Sequence, residues 1–325
     1  MGAQKSVMGM RDAFFEELHP IFRKDKNCIF ITADNGAPTL DQFAKEFPKQ
    51  YYNVGIAEQQ MIGMAAGMAL EGKKVYTYAI APFVTIRCYD QNKLDMCAMN
   101  LPIVNLGVGA GYAYDIIGPS HHTVEDISVM RVLPNLKIYS PSDGVTARAL
   151  AQISYEDRSP QYIRFDRSGI PDLYADRKVN FKEGIYSVVE RENPDLTIIA
   201  TGVMVHSALK VAQNLETKGF RVSVIDLFRL KPIDGKLLLE WLKGSRSLLT
   251  LEEHLLAGGM GSAVLEVLSD HNARIPTLRI GQDDRFVFDY GGREAVWEKY
   301  GLDVPSVTEK VASWLQTQFK NQVLV

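Results

Sequence analysis

Short runs of consecutive apolar residues alternate along this chain with longer segments whose apolar positions recur at helical spacing, the signature of helices layered over a parallel sheet. In the first half the pattern predicts a helix over about 8–25, a strand over 28–32, a helix over 39–47, a strand over 51–54, a helix over 56–71 and a strand over 74–80. A helix over 84–99 follows, then a strand over 102–108, a glycine-rich loop and a helix over 123–132. A strand over 136–139 leads into a helix over 143–157 and a strand over 161–165, with Asp143 placed to cap its helix. Between about 166 and 184 the pattern dissolves into polar and turn residues, and the domain boundary is read there. The alternation resumes with strands over 196–200, 222–226, 247–251 and 276–280, and helices over 203–218, 234–243, 259–272 and 304–320. The expectation is an α/β fold with two doubly wound, mostly parallel-sheet domains, residues 1–175 and 185–325.

Composition narrows the function without naming it. A length of 325 residues, 46% of them apolar and 23% charged, suits two ordinary globular domains. A net charge of -3 with scattered basic residues leaves no footprint for nucleic acid or an anionic membrane. Cys28, Cys88 and Cys97 lack metal spacing and read as the reduced thiols of a cytoplasmic protein, and no residue is assigned to a metal. No window approaches a membrane span, and the N-terminus has no signal-peptide core. Met1-Gly2-Ala3-Gln4-Lys5-Ser6 fits the short myristoylation pattern, read here as a chance match.

The stretch Asn53-Val54-Gly55-Ile56-Ala57-Glu58-Gln59-Gln60 follows a strand and opens a helix of small and apolar residues. Glu58 falls in the first helical turn, where the helix dipole favours any carboxylate. Gly63 and Gly67, however, let the helix pack its backbone close to something, which puts that acid at the lip of a buried crevice. There it reads as a hydrogen-bonding partner for a cofactor. Gly107-Val108-Gly109-Ala110-Gly111 suggests a phosphate cradle, but it does not lead into a helix and lacks the dinucleotide spacing. Gly118-Pro119-Ser120-His121-His122 follows the same strand, on the sheet edge where α/β folds bind ligands. In Glu252-Glu253-His254 and Gly258-Gly259-Met260-Gly261-Ser262 the glycines read as a tight turn packing a helix on its sheet. Walker, HExxH and nucleophile-elbow motifs are absent, which argues against a self-sufficient kinase, zinc enzyme or hydrolase.

In order and spacing these stretches resemble the thiamine-diphosphate-dependent transketolase family along nearly the whole chain. Val54 to Gln59 is similar to the family's glutamate motif, Gly118-Pro119-Ser120-His121 to its Gly-Pro-Thr-His turn, and Leu136 to Asp143 to the strand and Pro-x-Asp helix start that follow. Glu252-Glu253-His254 with Gly258 to Ser262 resembles its C-terminal domain. The resemblance implies that Glu58 shares a proton with N1′ of the aminopyrimidine and that His121 supports the substrate oxygen gaining charge. It implies an aromatic platform at Phe83 and Tyr89, with Ile86 where the family stacks a phenylalanine. Arg167 matches the family's substrate-phosphate arginine, and Arg164 is a second candidate. An acid precedes the family's Gly-Pro turn; here Ile117 stands there and Asp115 is the nearest replacement. The glycine loop is more like that of 1-deoxyxylulose-5-phosphate synthases.

No Gly-Asp-Gly occurs in the chain, although the family binds diphosphate and Mg²⁺ through that motif on another domain. The resemblance therefore implies the C-terminal subunit of a split transketolase. It would work with an N-terminal transketolase-like subunit that carries the motif and the Mg²⁺ ligands, in an α2β2 heterotetramer acting on phosphorylated sugars. Other readings are a deoxyxylulose-phosphate-synthase-like or 2-oxoacid dehydrogenase E1 β-like subunit, and a non-catalytic assembly module.

Overall fold

The computed structural model describes residues 8–323 apart from Ser168; the myristoylation-like stretch lies outside them. Twelve strands are described: β1 Cys28–Thr32, β2 Tyr51–Asn53, β3 Lys74–Ile80, β4 Ile103–Val108, β5 Lys137–Tyr139, β6 Gln161–Phe165, β7 Ile185–Val189, β8 Leu196–Ala200, β9 Val222–Leu227, β10 Arg229–Lys231, β11 Leu248–Leu255 and β12 Thr277–Gln282. They form a sheet ordered β10-β5-β6-β4-β3-β1-β2 and a second ordered β12-β11-β8-β9-β7. Every pairing is parallel except β10 on β5 and β7 on β9, so the expected fold class of two mostly parallel α/β sheets is what the chain adopts. Among the described residues no helix is long and apolar enough to cross a membrane.

Strands β1, β4 and β6 are buried along their whole length, as parallel strands covered on both faces must be. On one face of the first sheet lie helices Met10–Lys24 and Gly144–Glu156, packed through Phe14, Phe15, Phe22, Ala147 and Leu150. The Asp143 side chain accepts from Thr146 N at 2.7 Å, so the expected cap is present. On the other face lies helix Glu58–Leu70, through Met61, Ile62 and Ala65. Its Gly63 and Gly67 face outward, with nothing within 4 Å of the place a Cβ would take. Among the described residues no close approach explains them.

Three features depart from the expected pattern. β7 and helix Arg293–Tyr300 are additional elements, and β10 leaves the second half of the chain to edge the first sheet. With it Leu230 joins a core shared by both sheets. The helix expected over 84–99 is broken into a turn at Ala81–Val84, a single turn at Tyr89–Gln91 and a π-helix over Asn92–Ala98. The cause is a buried polar relay. Asn92 Nδ2 donates to Val84 O at 2.9 Å and Thr85 O at 3.2 Å, taking carbonyls a continuous helix would use itself. Asn105 Nδ2 then donates to Asn92 Oδ1, and Thr77 Oγ1 to Asn105 Oδ1, at 2.7 and 2.6 Å.

Candidate active site

Segments leaving the carboxyl ends of β2, β3, β4 and β6 converge on one cleft edge, the usual ligand side of a parallel sheet. After β2, Gly55 takes a left-handed φ of 74° and turns the chain into helix Glu58–Leu70. Asn53 Oδ1 holds this turn, accepting from Gly55 N at 3.0 Å and from Asp34 N at 3.1 Å. No side chain caps the helix, so its first N–H groups and positive end act on Glu58 directly. The Glu58 side chain is only 4% exposed, and its Oε1 accepts from Arg87 Nη1 at 2.9 Å.

From Glu58 a row of contacts runs along the edge. The Arg87 guanidinium carbon lies over Phe83, 3.8 Å from the ring centroid. Phe83 meets His121 edge to face, centroids 5.0 Å apart, and His121 meets Tyr114 at 6.0 Å. Arg167 closes the row, its guanidinium 4.9 Å from the Tyr114 centroid. Ser120 Oγ is 2.9 Å from His121 Nδ1 and orients the imidazole. Burial, and then the Arg87 charge, hold the His121 pKa below its ordinary value, so the ring is neutral at physiological pH.

Glu58, Phe83, His121 and Arg167 are therefore brought together, but the remaining candidates are not. Tyr89 packs against the apolar core, and Ile86 points outward at 43% exposure. Asp115 caps its own short turn through Ile116 N at 2.8 Å and lies beside Gly292. Arg164, 5% exposed, is bound to Asp126 through Nε at 2.8 Å and to Thr123 O at 3.1 Å. It faces the seam between the sheets, so it is unsuited to a substrate phosphate.

The glycine-rich stretches are also spent internally. Gly109 N and Ala110 N both donate to Phe165 O, and Gly111 pairs with Thr123, so the first loop has no N–H groups left to cradle phosphate. A side chain at Gly109 would collide with the Tyr114 ring, and one at Gly111 with Glu253. At the start of helix Met260–Asp270 the anion position is taken by Glu252, which accepts from Met260 N at 2.6 Å and Gly261 N at 2.9 Å. Sequence reasoning missed Arg87, whose place beside the aromatic positions was its only signal. It also missed Arg293, which ties Glu253 to Asp166 across the seam. A polar cavity at this seam, lined by Arg164, Asp166, Glu252 and His254 among others, measures about 10 Å³, room for about one water and no sugar.

Residues 6–172 match the transketolase pyrimidine binding domain, and residues 186–307 the transketolase C-terminal domain. The chain belongs to the transketolase family. Relatives include one of the subunits of the apulose-4-phosphate transketolase of Phocaeicola vulgatus, 33% identical over 312 residues, covering 96% of this chain and 99% of that protein. The 1-deoxy-D-xylulose-5-phosphate synthase of Caldanaerobacter subterraneus is 35% identical over 301 residues, 92% of this chain but 48% of that enzyme. A solved structure described as a split gene transketolase, inactive beta4 tetramer, superposes with a TM-score of 0.83 at 35% identity over 95% of this chain and 98% of that one. A Pichia stipitis transketolase shares the fold at a TM-score of 0.81 and 19% identity, over 97% of this chain and 47% of that one. The cleft-edge row of this transketolase-family chain suits the coenzyme's pyrimidine half: a buried carboxylate at an uncapped helix start, beside an aromatic face.

Proposed function

We propose that this chain supplies the pyrimidine-binding half of a thiamine-diphosphate-dependent transketolase site. With a separate polypeptide that binds diphosphate and Mg²⁺, it transfers a two-carbon ketol unit between phosphorylated sugars in the cytoplasm. The carrying observation is the order of the row, Glu58, Phe83, His121, Tyr114, Arg167. In this reading that order follows the coenzyme ring, the reacting oxygen and the distant phosphate. Near full-length similarity to a protein that is one subunit of a transketolase, and half-length similarity to single-chain synthases, support a divided enzyme. The outward Gly63 and Gly67 face gives a second polypeptide room to approach, in keeping with an α2β2 assembly.

Thiamine diphosphate, when bound, supplies a thiazolium that serves as electron sink for making and breaking bonds beside a ketose carbonyl. The chain's own groups do the rest. Glu58 holds a proton at N1′ of the aminopyrimidine, in a position too dry for water to compete. Phe83 offers a ring face that excludes solvent. His121, neutral and oriented by Ser120, hydrogen-bonds the substrate oxygen as it gains charge. Arg167 binds the phosphate as a planar fork.

The test is reconstitution with a transketolase-like polypeptide that carries Gly-Asp-Gly. Thiamine diphosphate, Mg²⁺ and a panel of ketose phosphates, apulose 4-phosphate among them, should give turnover only when both chains are present. Turnover by this chain alone would overturn the proposal. One observation favours a second reading: the loop Gly107 to Gly111 is more like that of 1-deoxyxylulose-5-phosphate synthases. A decarboxylating ligase would consume a 2-oxo acid donor in the same assay, which a ketol transferase would not.

A further inference from the structure

We propose that Arg87 is a self-inhibitory latch: its guanidinium occupies both places the aminopyrimidine needs, and the coenzyme must displace it. The inference rests on the reading of Glu58 given above. One planar cation makes both contacts at once, with Nη1 2.9 Å from Glu58 Oε1 and the guanidinium carbon 3.8 Å from the Phe83 centroid. A flat heterocycle that hydrogen-bonds Glu58 and rests on Phe83 requires the same carboxylate edge and the same ring face. The two occupants exclude each other.

The segment is built to let the side chain leave while its backbone stays. Arg87 O accepts from Gln59 Nε2 at 3.3 Å, and the neighbouring Cys88 Sγ donates to Phe83 O at 3.0 Å. The Arg87 side chain is 43% exposed, so a path to solvent is open, whereas Glu58 at 4% cannot move out to meet a ligand. Competition of this kind lowers apparent affinity by the fraction of chains that are unlatched. The half-exposed position keeps the contact weak enough to be broken on binding.

The experiment is a calorimetric titration of thiamine diphosphate, at fixed Mg²⁺, into the chain assembled with its partner subunit. Arg87→Met keeps the length of the side chain and removes its charge and planar fork. Its apparent Kd should fall roughly tenfold below wild type, and the gap should narrow as salt rises. Arg87→Lys keeps the charge but cannot lie flat on Phe83, and should fall between the two. An Arg87→Met complex that binds the coenzyme no more tightly than wild type overturns the latch. Glu58→Gln in the same titration separates the two ideas. If it loses affinity while Arg87→Met gains none, the latch fails and the reading of Glu58 stands. If, added to Arg87→Met, it costs no affinity, that reading fails and the latch with it.

Discussion

Along the cleft edge Glu58, Arg87, Phe83, His121, Tyr114 and Arg167 meet in single file, with Arg87 and Arg167 open to solvent. At the seam between the sheets the same residue types form a closed lattice. Arg164, Tyr162 and His254 gather on the fully buried Asp126, and Arg293 bridges Glu253 and Asp166. Both clusters look equally chemical as letters in a sequence. They differ in where their hydrogen bonds go: the seam's are spent within the protein, whereas the edge keeps groups that a ligand can reach. Burial explains the direction of the effect. An ion pair wholly inside must satisfy itself or the chain does not fold, while a half-exposed one can exchange its partner.

The comparison predicts opposite responses to similar substitutions. The largest expected effect is at the edge: Glu58→Gln in the reconstituted enzyme should lower kcat by roughly 10²–10⁴-fold, with the urea unfolding curve unchanged. Full activity would remove Glu58 from the chemistry. Next is the seam, where Arg164→Met strands the Asp126 carboxylate and should cost about 3–5 kcal/mol of stability in urea unfolding. A curve matching wild type would mean that the seam is less closed than its geometry implies. Arg167→Ala, three residues on, should leave unfolding unchanged and raise KM for phosphorylated donors about 10- to 100-fold, as loss of charge-assisted hydrogen bonds does. If Arg164→Met moves KM alone and Arg167→Ala moves stability, the assignment of the two arginines is reversed.

The smallest expected effect is one of pH. Burial pushes Asp226 up to about 7 from an ordinary 3.8, even though Ser142 and Tyr174 donate to it across the seam. A carboxyl group raised on folding contributes stability that is complete below the unfolded pKa and is lost as pH climbs to the folded one. Between pH 5 and 7 wild type should therefore lose up to ~1.4 kcal/mol per pH unit relative to Asp226→Asn. Parallel pH curves for the two proteins would show that the seam does not hold this proton. Glu252, raised to about 7 by burial despite two backbone donors, pushes stability the same way in both proteins and so cancels from the difference.

Much of this architecture was open to reading in the order of apolar and polar residues. Consecutive buried residues with helices between them have few ways to hide from water other than a covered parallel sheet. The segments Gly55 to Glu58 and Gly118 to His121 were legible as a ligand edge because turn chemistry after a strand is local. The break of the helix over 84–99 was not, because Asn92 abandons it only when Asn105 and Thr77 come within reach from neighbouring strands. The three residues of β10 have no strand signal of their own and are paired only because Ile138 and Tyr139 lie open at a sheet edge. Composition and periodicity, then, determined the layers and the edge on which chemistry can sit. Tertiary structure decided which arginine faces the cleft, which glycines serve packing, and that Arg87 lies on Phe83. Those outcomes depend on distances between segments far apart in the chain, and no local preference encodes them.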